Sequence, residues 1–268
     1  MVKNQMINDK TFSEIYDDFL KPVAKESGET LSLIPRSINA ALAPLRQWIA
    51  QKEYNVSETQ KLLSQKLKNV SPEKIVTPEA YVAVPALQAL SYSMDNNELR
   101  NLFANLLAKS MNTETKSSVH PSFVEIIKQL SPTDAIIFVE ISTVNFFPLV
   151  SLSVEKYSAD QLESNKIGQI KAPKERHSIP NISYFQDIDY EVVLLSIDNL
   201  LRLRLIEEMF PLSNITPSSV QKNPIYINSK LELDEYMTDS NWRYYETCRS
   251  LSLTSLGRIF YQICVKDI

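Results

Sequence analysis

Chemistry needs groups that ionise, attack or ligate, and this chain of 268 residues is sparing with them. Its only histidines are His120 and His177, and its only cysteines Cys248 and Cys264. His120 sits in SSVHPSF, where the chain passes between two differently patterned halves. An imidazole there is placed to act as a general base, since it titrates near neutrality. No nucleophile or paired carboxylate accompanies it in sequence, so the expected role is structural: a helix-start ring that bonds a nearby backbone group and fixes how the two lobes meet. Neither histidine belongs to an H-E-x-x-H or H-x-E motif, and the cysteines have no zinc-ligand spacing and make no disulfide framework. No metal site and no cofactor are expected. Asp187 and Asp189 are close enough to pair, but at a helix start they complement the macrodipole. Trp242, Tyr244 and Tyr245 in NWRYYE are read as packing and rim aromatics rather than a base-stacking platform.

The glycines point the same way. Gly28, Gly168 and Gly257 are the only three, and phosphate loops need several at fixed spacing because the backbone must approach the ligand bare. A P-loop and a dinucleotide fingerprint are absent, as is the G-x-S-x-G of the simplest hydrolases. MVKNQMINDKTF has no apolar signal core, and no uninterrupted run of about 20 apolar residues occurs. The expected location is the cytoplasm, and the expected protein is not an enzyme.

The elements that would carry a surface follow from periodicity. Residues 11 to 112 repeat helix-start signals: TFSE at 11–14, SETQ at 57–60, TPEA at 77–80 with Thr77 as cap and Pro78 in the first turn, and DNNE at 95–98. After the last, Leu99, Leu102, Phe103, Leu106 and Leu107 form one apolar stripe, with Arg100, Asn101 and Asn105 off it. SPEKIVTP at 71–78 is a connector. Residues 30–50 place Leu31, Ile34, Ile38, Leu42, Leu45 and Ile49 on one face, with Arg36 and Arg46 and no acid between Glu29 and Glu53. This is read as a core helix bent at Pro35 and Pro44. The alternative is a membrane-interface helix using Arg36, Arg46 and Trp48.

From 120 the pattern changes. HPSFVEIIKQL predicts a short helix, and SPTDAIIFVEI another with Ser131 as cap and Asp134 in its first turn. FPLVSLSV at 147–154 alternates like a strand, 158–183 reads as a loop, and 187–205 as a helix with Leu194, Ile197, Leu200 and Leu201 inward. LIEEMF runs out as a strand, NPIYI at 224–228 is wing or excursion, and CRSLSLT at 248–254 returns. Thr254 then caps a last helix with Leu256, Ile259, Phe260, Ile263 and Cys264 on one side. The fold expected is mainly α with a small β component (α+β). A helical lobe spans 1–118, and a winged-helix-like domain spans 119–268 with an excursion at about 142–186.

Such a domain binds DNA through Lys and Arg on the phosphates. Residues 120–268 hold 14 Lys and Arg against 19 Asp and Glu. The helix that would enter the groove brings Asp187, Asp189, Glu191 and Asp198 against Arg202 and Arg204. The one basic cluster, Lys166, Lys171, Lys174 and Arg176, is read as solvated loop. DNA binding is therefore not expected, and a protein partner is, at a surface of Asp198, Arg202, Arg204, Glu207 and Glu208.

Three stretches, ELRNLFANLLAKSM, VHPSFVEIIKQLSP and the closing LTSLG, resemble the bacterial abortive-infection alpha family over roughly residues 50–268. The resemblance implies anti-phage defence, in which an infected cell stops growing or dies before phage is released, and it carries over no catalytic residue. The leading expectation is a non-enzymatic defence protein that recognises a phage or host protein, with homo-oligomerisation open. The alternatives are a membrane-active effector through 30–50 and a DNA-binding regulator through the winged helix.

Overall fold

The computed structural model describes residues 61–93, 96–163, 172–209 and 215–268. The SETQ and TFSE signals and the 30–50 helix lie outside them. The chain forms two compact units, Met1–Ile136 with Arg258–Ile268, and Ile137–Gly257, so the second is inserted in the chain of the first. Among the described residues, helices and one antiparallel sheet make an α+β fold.

In the first unit, residues 61–67 are helical, followed by α1 (Ala80–Tyr92), α2 (Asn97–Ser110) and α3 (Ser122–Lys128). The start of α1 differs from expectation: it opens after Glu79 with no side-chain cap, so Thr77 and Pro78 stay in the connector. That connector is fastened instead to the end of α2, where the Val76 amide donates to Met111 O at 2.8 Å and the Thr113 amide to Lys74 O at 2.9 Å. The α2 cap is Asn96, whose side chain accepts from the Leu99 amide at 2.9 Å.

Leu102, Phe103, Leu106 and Leu107 are buried as their spacing requires, but so is Asn105, at 2% exposure. The returning C-terminal segment explains this. After α9 (Ser255–Phe260) the backbone widens into a π turn, Tyr261–Val265, which packs on α2. Asn105 Nδ2 donates to Cys264 O at 3.1 Å and to Val265 O at 2.9 Å. A helix end leaves carbonyls without intrahelical donors, and here a buried amide supplies them. Phe260 meets Phe123 edge-on at 5.6 Å. Ile259, expected inward, is exposed, because the inward side passes through Phe260, Ile263 and Cys264.

The second unit begins within α4 (Pro132–Thr143), which has Ser131 as cap as expected, with Asp134 reaching back to make the cap reciprocal. Asp134 N donates to Ser131 Oγ at 3.1 Å, and Ser131 N to Asp134 Oδ2 at 2.7 Å. The sheet order is β2-β1-β4-β3: β1 (Phe147–Lys156), β2 (Glu175–Ile182), β3 (Ile206–Met209) and β4 (Trp242–Leu253). Two stretches differ from expectation. The supposed loop at 158–183 contains α5 (Ala159–Glu163) and all of β2, an edge strand whose polar sequence suits one solvated face. NPIYI opens α8 (Pro224–Tyr236), capped by Asn223 and preceded by α7 (Ser218–Gln221). These two helices cover one sheet face, where Val150, Leu152, Val154, Ile182, Val220 and Leu233 form the core.

The helix expected at 187–205 is α6 (Tyr190–Arg202), and Asp189 caps it by accepting from Glu191 N and Val192 N. Its buried residues are Val193, Ser196, Ile197 and Leu200, a face turned slightly from the predicted one. It ends in a Schellman motif. The Leu205 amide donates to Leu200 O at 3.1 Å and the Arg204 amide to Leu201 O at 2.9 Å, with Arg204 at φ 58° in the position glycine usually fills. Leu205 then meets the LTSLG segment. Thr254 N donates to Leu205 O at 3.1 Å. The Thr254 hydroxyl donates to Arg204 O at 2.6 Å and accepts from Gly257 N at 2.9 Å. A Cβ on Gly257 would lie 1.9 Å from Leu205 O.

Three stability changes are expected, two losses and one gain. Gly257→Ala forces the two backbones apart and costs about 3 kcal/mol, at the upper end of overpacking penalties. Arg204→Gly relieves the left-handed strain and gains about 0.5–1 kcal/mol after the extra chain entropy of glycine. Asn105→Ala strands two buried carbonyls and costs about 2 kcal/mol. Urea denaturation midpoints of the three variants measure all of these.

Candidate functional site

Asp198, Arg202, Arg204, Glu207 and Glu208 all lie at the α6–β3 turn or on the elements beside it. The α6 cap and its buried face fix which side looks outward. That side carries Glu191, Val192, Leu195, Asp198 and Arg202, with Leu195 at 70% and Val192 at 40% exposure. An apolar spot thus stands between two carboxylates. Arg202 is turned along its own helix, with Nη2 donating to Asn199 Oδ1 at 2.7 Å. Glu207 and Glu208 follow on β3, a four-residue strand at the sheet edge.

Glu208 is part of a larger arrangement that no sequence motif announces. Its Oε2 accepts from Arg249 Nη1 at 2.9 Å. Arg249 Nη2 donates onward to Ser151 Oγ at 3.2 Å and Asn181 Oδ1 at 3.0 Å. One guanidinium on β4 therefore links β3, β1 and β2. Asn181 lies where the β1–β2 register shifts, between Val150 and Leu152. Its φ is 53° and its amide donates to Ser151 Oγ at 3.0 Å. Asparagine tolerates that backbone better than most residues, and the linked side chains hold a β-bulge.

Alternation along β4 sorts the NWRYYE aromatics. Trp242 and Tyr244 face the side covered by α8; Tyr245 faces the other and is exposed. On the covered side, Tyr226 and Tyr244 both donate to the Glu246 carboxylate, at 3.1 Å to its Oε2. Lys230 Nζ stands 5.6 Å from each ring centre. Burial, then the Glu246 charge, pushes the Tyr226 phenol up to about 12. The same two causes push Tyr244 above the ordinary phenol range. Phenols held protonated this way are donors that brace the helix on the sheet; neither is poised as a base or nucleophile.

His120 Nδ1 accepts from the Ser122 amide at 3.2 Å and sits 2.7 Å from Ser122 Oγ. His177 stacks on Tyr236 at 3.7 Å between ring centres, with Nε2 2.9 Å from Glu175. The two histidines belong to different units. Cys264 is fully buried and burial pushes its thiol well up, which suppresses the reactive thiolate. Among the described residues no group of three or more His, Cys, Asp and Glu is arranged to hold a metal ion, and no helix is long and apolar enough to cross a membrane. Arg36, Arg46 and Trp48 lie outside the described residues.

An inserted sheet unit with surface-facing polar rows defines a class by architecture rather than by reaction. The family model for abortive infection alpha matches residues 51–264, and the chain belongs to that family, whose name denotes abortive-infection defence. No curated protein and no solved structure matches the chain.

The tyrosines make a prediction about pH. A phenol whose folded pKa exceeds its ordinary value of 10.0 stabilises the fold fully below that value and loses the contribution as pH rises through about 12. Stability is expected to fall between pH 10 and 12, and Tyr226→Phe to flatten that fall. Melting temperature against pH, with phenolate absorbance followed in parallel, measures both.

Proposed function

We propose that the protein is a non-enzymatic abortive-infection protein that recognises a phage or host protein in the cytoplasm through the outer face of α6 and the adjoining β3. The observation that carries this reading is Leu195, 70% exposed on a helix face bounded by Glu191 and Asp198. A helix used on duplex DNA presents cations and amides to the groove. This one presents an apolar anchor in an acidic rim, which suits the core-and-rim chemistry of a protein interface. The carboxylates of Glu207 and Glu208 extend the rim along an edge strand.

The reading also takes residues 119–268 as a winged-helix-like domain with an excursion. Its support is the strand order β1-β4-β3, with α6 running directly into β3 and β4 into α9. The stretch between β3 and β4, where a simple wing would be a hairpin loop, carries α7 and α8. In this view the domain uses a nucleic-acid-binding scaffold for protein contact, a reuse that folds permit because function lives in the site.

Leu195→Asp, with Glu207→Lys as a second variant, tests the site. Both positions are exposed, so melting temperature should stay within the small range of surface changes. Protection against phage, measured as plaquing efficiency on cells carrying each variant, should fall by about tenfold or more, as expected for loss of an interface anchor. Full protection by both variants would overturn the reading. So would turnover of nucleotide, nucleic acid or peptide by the purified protein that a single substitution abolishes.

A further inference from the structure

We infer that the sheet face opposite α7 and α8 binds single-stranded nucleic acid, with Tyr245 as a stacking surface and Arg176, Arg243 and Arg249 at the phosphates. This surface is separate from the outer face of α6. Cross-strand register sets its side chains in rows. The first is Arg176, Glu155 and Arg243 across β2, β1 and β4. The second is Ser178, Ser153 and Tyr245. In the third, Ser151 and Thr247 stand beside Asn181, and Arg249 leans back over them. The floor along β1 is therefore short hydroxyl side chains, flanked by longer ones on either neighbour. Arg176, Ser178, Arg243, Tyr245 and Thr247 are all exposed.

Charge and shape select the occupant. The residues from 120 onward are acidic in sum, yet this face carries three guanidiniums against the carboxylates of Glu155 and Glu208. Glu155 is largely covered, 3.3 Å from Arg176, and also accepts from the Tyr157 hydroxyl; Glu208 is held by Arg249. Each carboxylate thus orients an arginine; Glu155 is largely covered while Glu208 stays exposed. Arg243 is left as the surplus cation, its Nη1 steadied by the Ser240 and Trp242 carbonyls, at 2.8 Å each. From Arg243 to Arg249 the strand rises by about 20 Å, a length suited to an extended strand rather than a compact anion. The exposed hydroxyls of Ser178 and Thr247 suit sugar and phosphate oxygens, while that of Ser153 is buried. The Tyr245 ring, 41% exposed and hydrogen-bonded to Tyr157, offers a face on which any base can stack. An acidic peptide would use the guanidiniums and leave Tyr245 idle. A duplex buries its bases and would do the same. Three cations amid hydroxyls offer no apolar anchor for a membrane.

The acidic charge of α6, which argues against DNA, belongs to a different surface. Arg176, expected in a solvated loop, is a strand residue on this face.

The test measures fluorescence anisotropy of a short labelled oligouridylate, and of its oligodeoxythymidylate counterpart, on the full-length protein at low and raised salt. Binding is expected at low salt, weakening as salt rises. Tyr245→Ala should weaken it by about tenfold or more, while Tyr245→Trp retains it. Arg243→Glu should weaken it and flatten the salt dependence, and Leu195→Asp should leave it unchanged. The inference is overturned by absence of binding to both oligomers at low salt. It is equally overturned if a folded Tyr245→Ala binds like the unmodified protein, if duplex binds as tightly as single strand, or if polyglutamate competes as well as the oligomer.

Discussion

The Leu205 carbonyl is the point on which the second unit turns. It accepts the Thr254 amide, and it passes so near Gly257 that no side chain fits there. One oxygen thereby fixes how the end of α6 enters β3, how β4 leaves the sheet and how α9 begins. The Schellman end of α6 presents that carbonyl, and Arg204 accepts a left-handed backbone to do so. The Thr254 hydroxyl bonds both sides of the junction at once, donating to Arg204 O and capping Gly257 N. LTSLG is thus one joint pinned by the Thr254 amide and hydroxyl, and its glycine answers to a backbone oxygen rather than to a turn.

Much of this was legible in the sequence because it is local. Ser131 and Asp134 cap each other within one turn, Thr254 caps the helix that follows it, and FPLVSLSV alternates on a single strand. What could not be read depends on distant pairing. KAPKERHSIPNI contains β2, but it is polar on both sides for most of its length, so nothing marks a strand until β1 is beside it. NPIYI has the apolar content of a strand and becomes helix because Asn223 caps it and Tyr226 and Leu233 reach the same core. Asn105 counts as surface by its amide. It is buried because a segment about 160 positions later brings carbonyls that need a donor.

The candidate surfaces divide the same way. The exposed face of α6 was visible as charges at helical spacing, though the weight of Leu195 was not, since only burial separates it from Leu194 and Leu200. The Arg249 row was invisible. Had β4 been read from Trp242 rather than Cys248, strict alternation would have put Arg243, Tyr245, Thr247 and Arg249 on one side and Trp242, Tyr244, Glu246 and Cys248 on the other. That single shift of a strand start turns an aromatic cluster into two unlike faces. One is a protonated phenol–carboxylate brace under α8, and the other is open and cationic.

The order of the chain gives the C-terminal π turn a temporal meaning. Phe260, Ile263 and Cys264 complete the core around α2, yet they are synthesised after every residue of the inserted unit. Domains generally mature on the ribosome as they emerge, first one first. Here the part of the α2 core that they fill is completed only after the whole inserted unit, with its sheet, has been made. A chain cut after Gly257 would therefore contain every strand of the sheet and lack Phe260, Ile263 and Cys264 from the helical core.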